Sequence, residues 1–426
     1  MQTQALLGEL AWRGLLFQST DGLAAALERG PVTGYCGFDP TAASLHVGNL
    51  IPVMGLLHLQ RAGHRPMILV GGGTGLIGDP SGKAAERTLN TPAVVAENVR
   101  GIRAQLERFL SFDGPTGALV RDNATWLTTL GAIEFMRDVG KHFTVNYMLQ
   151  KESVKSRLET GISYTEFSYM LLQAYDFLEL YRREGVTLQV GGSDQWGNMT
   201  AGMELIRRVE GGDVNVLTFP LVTTAAGTKF GKTEAGAVWL DPARTSPYQF
   251  YQFWVNVDDR DVGRFLRFFT LLDRPTIEAL DAATVERPEQ REAQRALAAD
   301  VTRRVHGEDA LAAALEVSSL LFGKSEPASL SAAALHALAA EIPATTLSRG
   351  DSLDTERVIE ALTIAPTALF KSKGEARRMI QQGGLYLNGA RMSADRQPIS
   401  DAQLLHGRYL LARKGARNYA LLEVAP

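Results

Sequence analysis

A chain of 426 residues is too long for one ordinary hydrophobic core and implies two to three domains. With 45% hydrophobic and 21% charged residues it has the composition of a soluble globular protein, and its one cysteine, Cys36, excludes intrachain disulfides and a thiolate zinc site, as a reducing cytoplasm would allow. Glu9 and Arg13 interrupt any signal-peptide core, and no run reaches the roughly 18 apolar residues that span a bilayer. No membrane partner is therefore expected. The formal charge of −3 hides an asymmetry: residues 351–426 hold eleven Lys and Arg against eight acids, a surplus of three, which leaves −6 for the rest.

In chain order, apolar runs at 34–38, 67–70, 119–121 and 187–190 predict strands, and they alternate with helical patterns at 50–62, 94–109 and 201–209. In the second of these helices Val95, Val99, Ile102, Leu106, Phe109 and Leu110 recur mostly every three or four residues and define one buried face. This alternation predicts an α/β domain with a parallel sheet. Beyond Lys232 the pattern turns helical, over 248–254, 261–270 and 288–322. Residues 323–352, rich in Ala, Ser and Pro with a short helix at 331–341, read as a connection. The last segment predicts helices at 357–362 and 374–382, then a strand at 385–391 entering an Asn388-Gly389 hairpin.

Two segments carry the chemistry. The strand-like Tyr35-Cys36-Gly37-Phe38 passes through Asp39-Pro40-Thr41 to Leu45-His46-Val47-Gly48-Asn49 at the start of a helix, where backbone N–H groups and a side-chain donor can meet a phosphate. His46 alone reads more readily as a buried histidine on an ordinary strand-to-helix connection. Its weight comes from Lys229-Phe230-Gly231-Lys232-Thr233, which adds two ammonium groups and a hydroxyl on a glycine-flanked loop.

These segments resemble the HIGH and KMSKS signatures of class I aminoacyl-tRNA synthetases. Together with Gly78-Asp79-Pro80-Ser81-Gly82-Lys83, Gln173-Ala174-Tyr175-Asp176 and Gly191 to Asn198, they make the whole chain similar to the bacterial tyrosyl-tRNA synthetase family. Val47 stands where the signature has Ile, and Asn49 replaces its second histidine; an amide still donates a hydrogen bond but carries no charge. The resemblance implies a Rossmann-like catalytic domain at 1–222, the mobile signature loop and a helical domain at 223–322, a linker at 323–352, and at 353–426 a small α+β RNA-binding domain resembling ribosomal protein S-four.

The same resemblance implies ligation of L-tyrosine to tRNA(Tyr) by a cytoplasmic homodimer, with ATP as co-substrate and Mg²⁺ on the pyrophosphate. It assigns the phosphate charge to His46, Asn49, Lys83, Arg87, Lys229, Lys232 and Thr233, with the 229–233 loop closing over ATP. Tyr35 and Asp176 would meet the phenolic hydroxyl, and Asp79, Tyr169 and Gln173 the ammonium group, with Asn123 supporting the pocket. Gln195 belongs to that pocket and to its adenosine side, beside Gly37, Asp39, Gly48, Gly192 and Asp194; Cys36 borders the ribose. Lys371, Lys373, Arg377 and Arg378 would face tRNA phosphates. No site for a metal held by the protein is expected.

Two other functions stay open. One is a synthetase-like RNA-binding protein without catalysis, although Lys83, Arg87, Lys229 and Lys232 are all in place. The other is a dinucleotide-dependent oxidoreductase, because Gly73, Gly75 and Gly78 fit the G-x-G-x-x-G pattern and Glu97 follows at a suitable distance. That motif needs its last glycine in the first turn of a helix, whereas Asp79-Pro80-Ser81-Gly82 reads as loop.

Overall fold

The computed structural model describes residues 2–81, 89–155, 157–158, 161–228, 230–233, 236–348, 353–392 and 397–425, with only the backbone at 2–5, 153, 232 and 233. They form two compact units, 1–241 with 257–297 and 242–256 with 298–426, cut at different points from the divisions expected from the sequence.

The first unit is built on a six-stranded sheet. Its strands are β1 (Gln18–Ser19), β2 (Thr33–Phe38), β3 (Arg65–Val70), β4 (Leu119–Asp122), β5 (Leu188–Gly192) and β6 (Asn215–Phe219), in the spatial order β1-β6-β5-β2-β3-β4. All neighbours are parallel except β1 on β6. From the β4 edge the parallel strands therefore follow the doubly wound order 3-2-1-4-5, which reverses between β2 and β5. In such sheets ligands bind beyond the carboxyl ends of the strands at that reversal.

Strand β6 was not expected because Asn215 and Thr218 interrupt its apolar pattern. Both are buried and satisfied by the edge: Thr20 Oγ1 donates to Asn215 Oδ1 and Thr218 Oγ1 to the Gln18 carbonyl. The 21-residue helix Tyr164–Glu184 was also unforeseen. Ser163 caps its first turn by accepting from Glu166 N, and Gly185, at φ 64°, ends it. One face of it packs Met170, Leu171, Ala174, Phe177 and Leu178 against Tyr35, Met67, Leu69, Leu205 and Ile206 in a core beneath the sheet.

A short hairpin, β7 (Lys232–Thr233) and β8 (Gly236–Ala237), holds part of the second signature. The helical segment 288–322 divides into Glu292–His306 and Glu308–Leu321, broken at Gly307, whose φ is 93°.

The second unit holds a sheet in the order β11-β10-β12-β13-β9, from β9 (Ala344–Leu347), β10 (Leu385–Leu387), β11 (Ala390–Arg391), β12 (Tyr409–Lys414) and β13 (Asn418–Val424). Alternate residues of β12 and β13 face opposite sides. Leu410, Ala412, Ala420 and Leu422 pack on Val358, Ile359, Ala376 and Ile380; Tyr409, Leu411, Tyr419 and Leu421 pack on Val317, Leu320, Leu335 and Leu338. Much of the segment read as a connection is thus core, and β9 pairs parallel with β13. Its Ala-rich composition reads as loose chain, yet Ala334, Leu335 and Leu338 of helix Ala332–Leu338 are fully buried. Asn388 and Gly389, at φ 50° and 88°, make the expected hairpin turn.

Candidate active site at the strand reversal

A cavity opens at the carboxyl ends of β2 and β5. It is lined by Tyr35 to Asp39, Gln189 to Gly192, Asp194 and Gln195, by Gly71, Thr74, Asp79 and Asn123, and by Tyr169, Gln173 and Asp176. The last three stand four and three residues apart on helix Tyr164–Glu184, so one helical face delivers them all. Gly37 is exposed, and a Cβ there would meet nothing within 4 Å, which leaves room for a ligand to approach the backbone. Burial pushes the Cys36 thiol up to about 12, so it lines the cavity as a neutral group.

At the inner end Asp176 is 2% exposed. It accepts from Asn123 Nδ2 at 2.8 Å and from Trp126 Nε1 at 2.7 Å. Burial raises its carboxyl to about 8, against the lowering effect of those two hydrogen bonds. Asn123 is held in turn, accepting from Gly73 N at 2.7 Å and donating to Thr74 Oγ1 at 3.0 Å. Tyr35 meets Phe177 edge-on with ring centroids 5.3 Å apart, and its buried hydroxyl has no hydrogen-bond partner among the described residues. Burial first, then Asp176, keeps that phenol neutral by raising it well above its ordinary value. A neutral phenol donor beside the carboxyl oxygens of Asp176 suits a ligand hydroxyl that both accepts and donates.

The other end gathers acceptors. Tyr169 donates to Asp39 Oδ2 at 2.7 Å, while Thr74 Oγ1 donates to Asp39 Oδ1 at 2.8 Å. Because the Tyr169 proton is committed to Asp39, its oxygen is left to accept. Asp79 accepts from Ser81 N at 2.9 Å and from Gln195 Nε2 at 2.6 Å. Asn198 Nδ2 donates to Gln173 Oε1 at 3.0 Å and lies 3.3 Å from Gln195 Oε1. Carboxylate, phenolic oxygen and amide oxygen together are a set that an ammonium group would satisfy.

The structure also brings the two signatures together. His46 Nδ1 accepts from Gly48 N and Asn49 Oδ1 accepts from His46 N, each at 3.0 Å, so the two side chains cap the turn Val47–Asn49 reciprocally. A neutral His46 ring therefore carries its hydrogen on Nε2. Asn49 does here what a capping residue does, without charge. Val47 N donates to the Val238 carbonyl at 3.0 Å, Leu240 N to the Leu45 carbonyl at 2.8 Å, and a Cβ on Gly231 would stand 2.6 Å from Val47 Cγ2. Gly48 is as tight, since a Cβ there would lie 2.8 Å from the His46 ring. Lys83, Arg87 and Lys229 lie outside the described residues, as do the side chains of Lys232 and Thr233.

Sequence reasoning passed over Thr74, Trp126, Gln189 and the hydrogen-bonding part of Asn198. Gln189 is the cross-strand neighbour of Tyr35, and its buried Oε1 has no hydrogen-bond partner among the described residues. Only strand pairing reveals that adjacency, whereas Asn198 closes a motif visible in the sequence. The glycine-rich loop is no dinucleotide turn: Gly78 leads into loop, the next described helix begins at Pro92, and Glu97 pairs with Arg100 on the surface.

Away from this cavity, helix Lys373–Gln381 carries the basic residues expected near RNA. Lys373 pairs with Glu360 at 3.2 Å and Arg377 with Glu356 at 2.8 Å, whereas among the described residues the exposed Lys371 and Arg378 side chains form no ion pair.

Residues 27–323 match the family model described as tRNA synthetases class I (W and Y), and residues 335–422 match the tyrosine--tRNA ligase SYY-like C-terminal domain. The chain is 56% identical to a tyrosine--tRNA ligase of Anaeromyxobacter dehalogenans over 99% of this chain and 100% of that protein. To the tyrosine--tRNA ligase of Thermobifida fusca it is 54% identical, over 97% and 98%. Among solved structures, a C-terminally truncated mitochondrial tyrosyl-tRNA synthetase of Coccidioides posadasii aligns with a TM-score of 0.64 and 32% identity, over 73% of this chain and 91% of that one. A tryptophanyl-tRNA synthetase from Encephalitozoon cuniculi, at 14% identity and a TM-score of 0.55, shares the fold. Whole-length identity above one half and a cavity polar at both ends agree: the chain belongs to the tyrosine--tRNA ligase family of class I aminoacyl-tRNA synthetases.

Proposed function

We infer that this chain activates L-tyrosine with ATP and transfers the tyrosyl group to the 3′-terminal ribose of tRNA(Tyr). The observation that carries the reading is the cavity with a hydroxyl-matching pair, Tyr35 and Asp176, at one end and an ammonium-matching trio, Asp79, Tyr169 and Gln173, at the other. A substrate lacking the hydroxyl would leave buried polar groups unpaired; tyrosyl-tRNA synthetase is itself the standard case of rejecting phenylalanine this way without editing.

The tyrosine carboxylate, ionised at neutral pH, attacks the α-phosphorus of ATP and expels pyrophosphate. No general base is needed, and the work is positioning and charge stabilisation. His46 offers its Nε2 hydrogen to the phosphates, and Lys83, Arg87, Lys229, Lys232 and Thr233 are proposed as further donors, with Asn49 holding the His46 turn. Gly37, Asp39, Gly48, Gly192 and Asp194 are proposed to border adenosine and ribose, with Gln195 between the two substrates. Mg²⁺ would arrive on the ATP phosphates, which in such sites share its coordination with water and at most one or two carboxylates.

Lys371, Lys373, Arg377 and Arg378 are proposed to meet tRNA phosphates. Lys373 and Arg377 can exchange their carboxylate partners, the exposed Glu360 and the half-buried Glu356, for phosphates at small cost, because ion pairs near the surface contribute roughly 0–1 kcal/mol. A homodimer is proposed on the exposed apolar side chains Ile133, Met136, Val145 and Tyr164, which cluster in one stretch of the chain. Work on tRNA would place it in the cytoplasm. Incubation with ATP, labelled tyrosine and tRNA(Tyr) tests the reading: ATP-dependent label on the tRNA is expected, and its absence would overturn the assignment.

A further inference from the structure

The helix Asp259–Phe269 presents Asp261, Arg264, Phe265 and Phe269 at helical spacing, and these residues hold the segment on either side of position 229. Asp261 is 3% exposed, and its Oδ2 accepts from Ala225 N at 2.8 Å. Arg264 bridges Asp261 Oδ1 at 2.7 Å and the Thr223 carbonyl at 2.5 Å. On the far side, Phe230 packs on Phe265 and Phe269 with ring centroids 4.6 and 5.2 Å apart. The next residue, Gly231, lies against Val47 and Gly48 of the first signature.

A buried carboxylate must be compensated by hydrogen bonds and opposite charge. Outside its own helix, the partner of Asp261 among the described residues is the Ala225 N–H. Phe230 would pack on Phe265 and Phe269 without that contact, so the aromatic cage does not account for Asp261. We propose that Asp261 and Arg264 are positioning residues for adenylate formation: they fix the backbone at 223–225 so that the second signature enters the ATP site in register with His46. This rests on the ligase reading above. Neither residue touches the tyrosine cavity, so their effect should fall on steps that use ATP.

The test is pre-steady-state adenylate formation over a range of ATP concentrations, beside equilibrium tyrosine binding without ATP. Asp261→Ala is expected to slow adenylate formation or raise the apparent ATP requirement by about tenfold or more, with tyrosine affinity within about twofold of the parent. Asp261→Asn, which keeps an acceptor for Ala225 N, should recover part of the loss. Arg264→Ala alters a side chain 42% exposed and tests the same anchor if Asp261→Ala fails to fold. Unchanged ATP-dependent kinetics in Asp261→Ala, or in Arg264→Ala should the first variant not fold, would overturn the proposal, as would equal losses of tyrosine binding and adenylate formation. A parent protein without tyrosine activation would overturn the ligase reading instead.

Discussion

Asp176 concentrates the chemistry of the inner end of the cavity in one residue. Its carboxyl titrates near 8 in the folded protein, against roughly 3.9 in an unfolded chain. A raised acid binds its proton more tightly when folded, so its stabilising contribution is full below the unfolded value and is lost as pH rises through about 8. Asp176→Asn cannot titrate. The stability difference between variant and parent should therefore shift toward the variant between pH 5 and 8, by up to about 1.4 kcal/mol per pH unit. Denaturant melts at several pH values measure this, and a pH-independent difference would mean that Asp176 is ionised throughout. The same substitution leaves Trp126 or Asn123 facing an amide donor and should weaken tyrosine binding by about tenfold or more. At the other end, Tyr169→Phe removes both the bond to Asp39 and the acceptor proposed for the ammonium group. Tyrosine affinity should fall while affinity for ATP alone holds; equal losses would point to general collapse of the pocket.

Among the elements, the glycine-rich loop after β3 is shaped by the carboxylates around it. A Cβ at Gly71 would stand 2.2 Å from Asp39 Oδ1 and 2.5 Å from Thr74 Oγ1. Gly71→Ala should therefore displace the Asp39–Thr74 pair and, through Asp39, Tyr169. The expected cost is about 1–3 kcal/mol in stability together with weaker tyrosine binding, read by calorimetry and titration. Unaltered binding would mean that Asp39 does not orient Tyr169. The motif text 71–78 shows that glycines are needed but not what crowds them, since Asp39 and Thr74 meet only after folding. The long helix Tyr164–Glu184 escaped notice because its polar face reads as ordinary surface, although Tyr169, Gln173 and Asp176 were named one by one. Strands β2, β3 and β5 were legible because buried parallel strands are short apolar runs, and the half-buried edge strand β4 opens with one, Leu119-Val120. Their order, which places Tyr35 beside Gln189 and locates the cavity, was not, because register is set by packing between distant segments.

For the whole molecule, the second unit is more than an appended RNA-binding domain. Tyr409, Leu411, Tyr419 and Leu421 cover Leu320, Leu335 and Leu338, so a chain ending at Ser348 would expose an apolar strip where composition alone promised a clean separation. Such a truncation should lower solubility, which light scattering would register; a fully monodisperse product would contradict the packing. Charge substitutions separate functions more gently. Arg378→Ala should weaken tRNA binding and reduce its salt slope by up to about one unit without changing tyrosine activation. Glu356→Gln, which releases Arg377, should tighten tRNA binding at low salt. An unchanged salt slope in both variants would remove this helix from the RNA surface.

The central claim is that one cavity recognises tyrosine by its hydroxyl and its ammonium group and activates it with ATP. ATP–pyrophosphate exchange, run with each of the twenty amino acids in turn, tests it most directly. The account predicts rapid exchange with tyrosine and no appreciable exchange with phenylalanine or tryptophan. Comparable exchange with either of those would contradict the roles of Tyr35 and Asp176, and no exchange with any amino acid would leave a synthetase fold that binds RNA without catalysis.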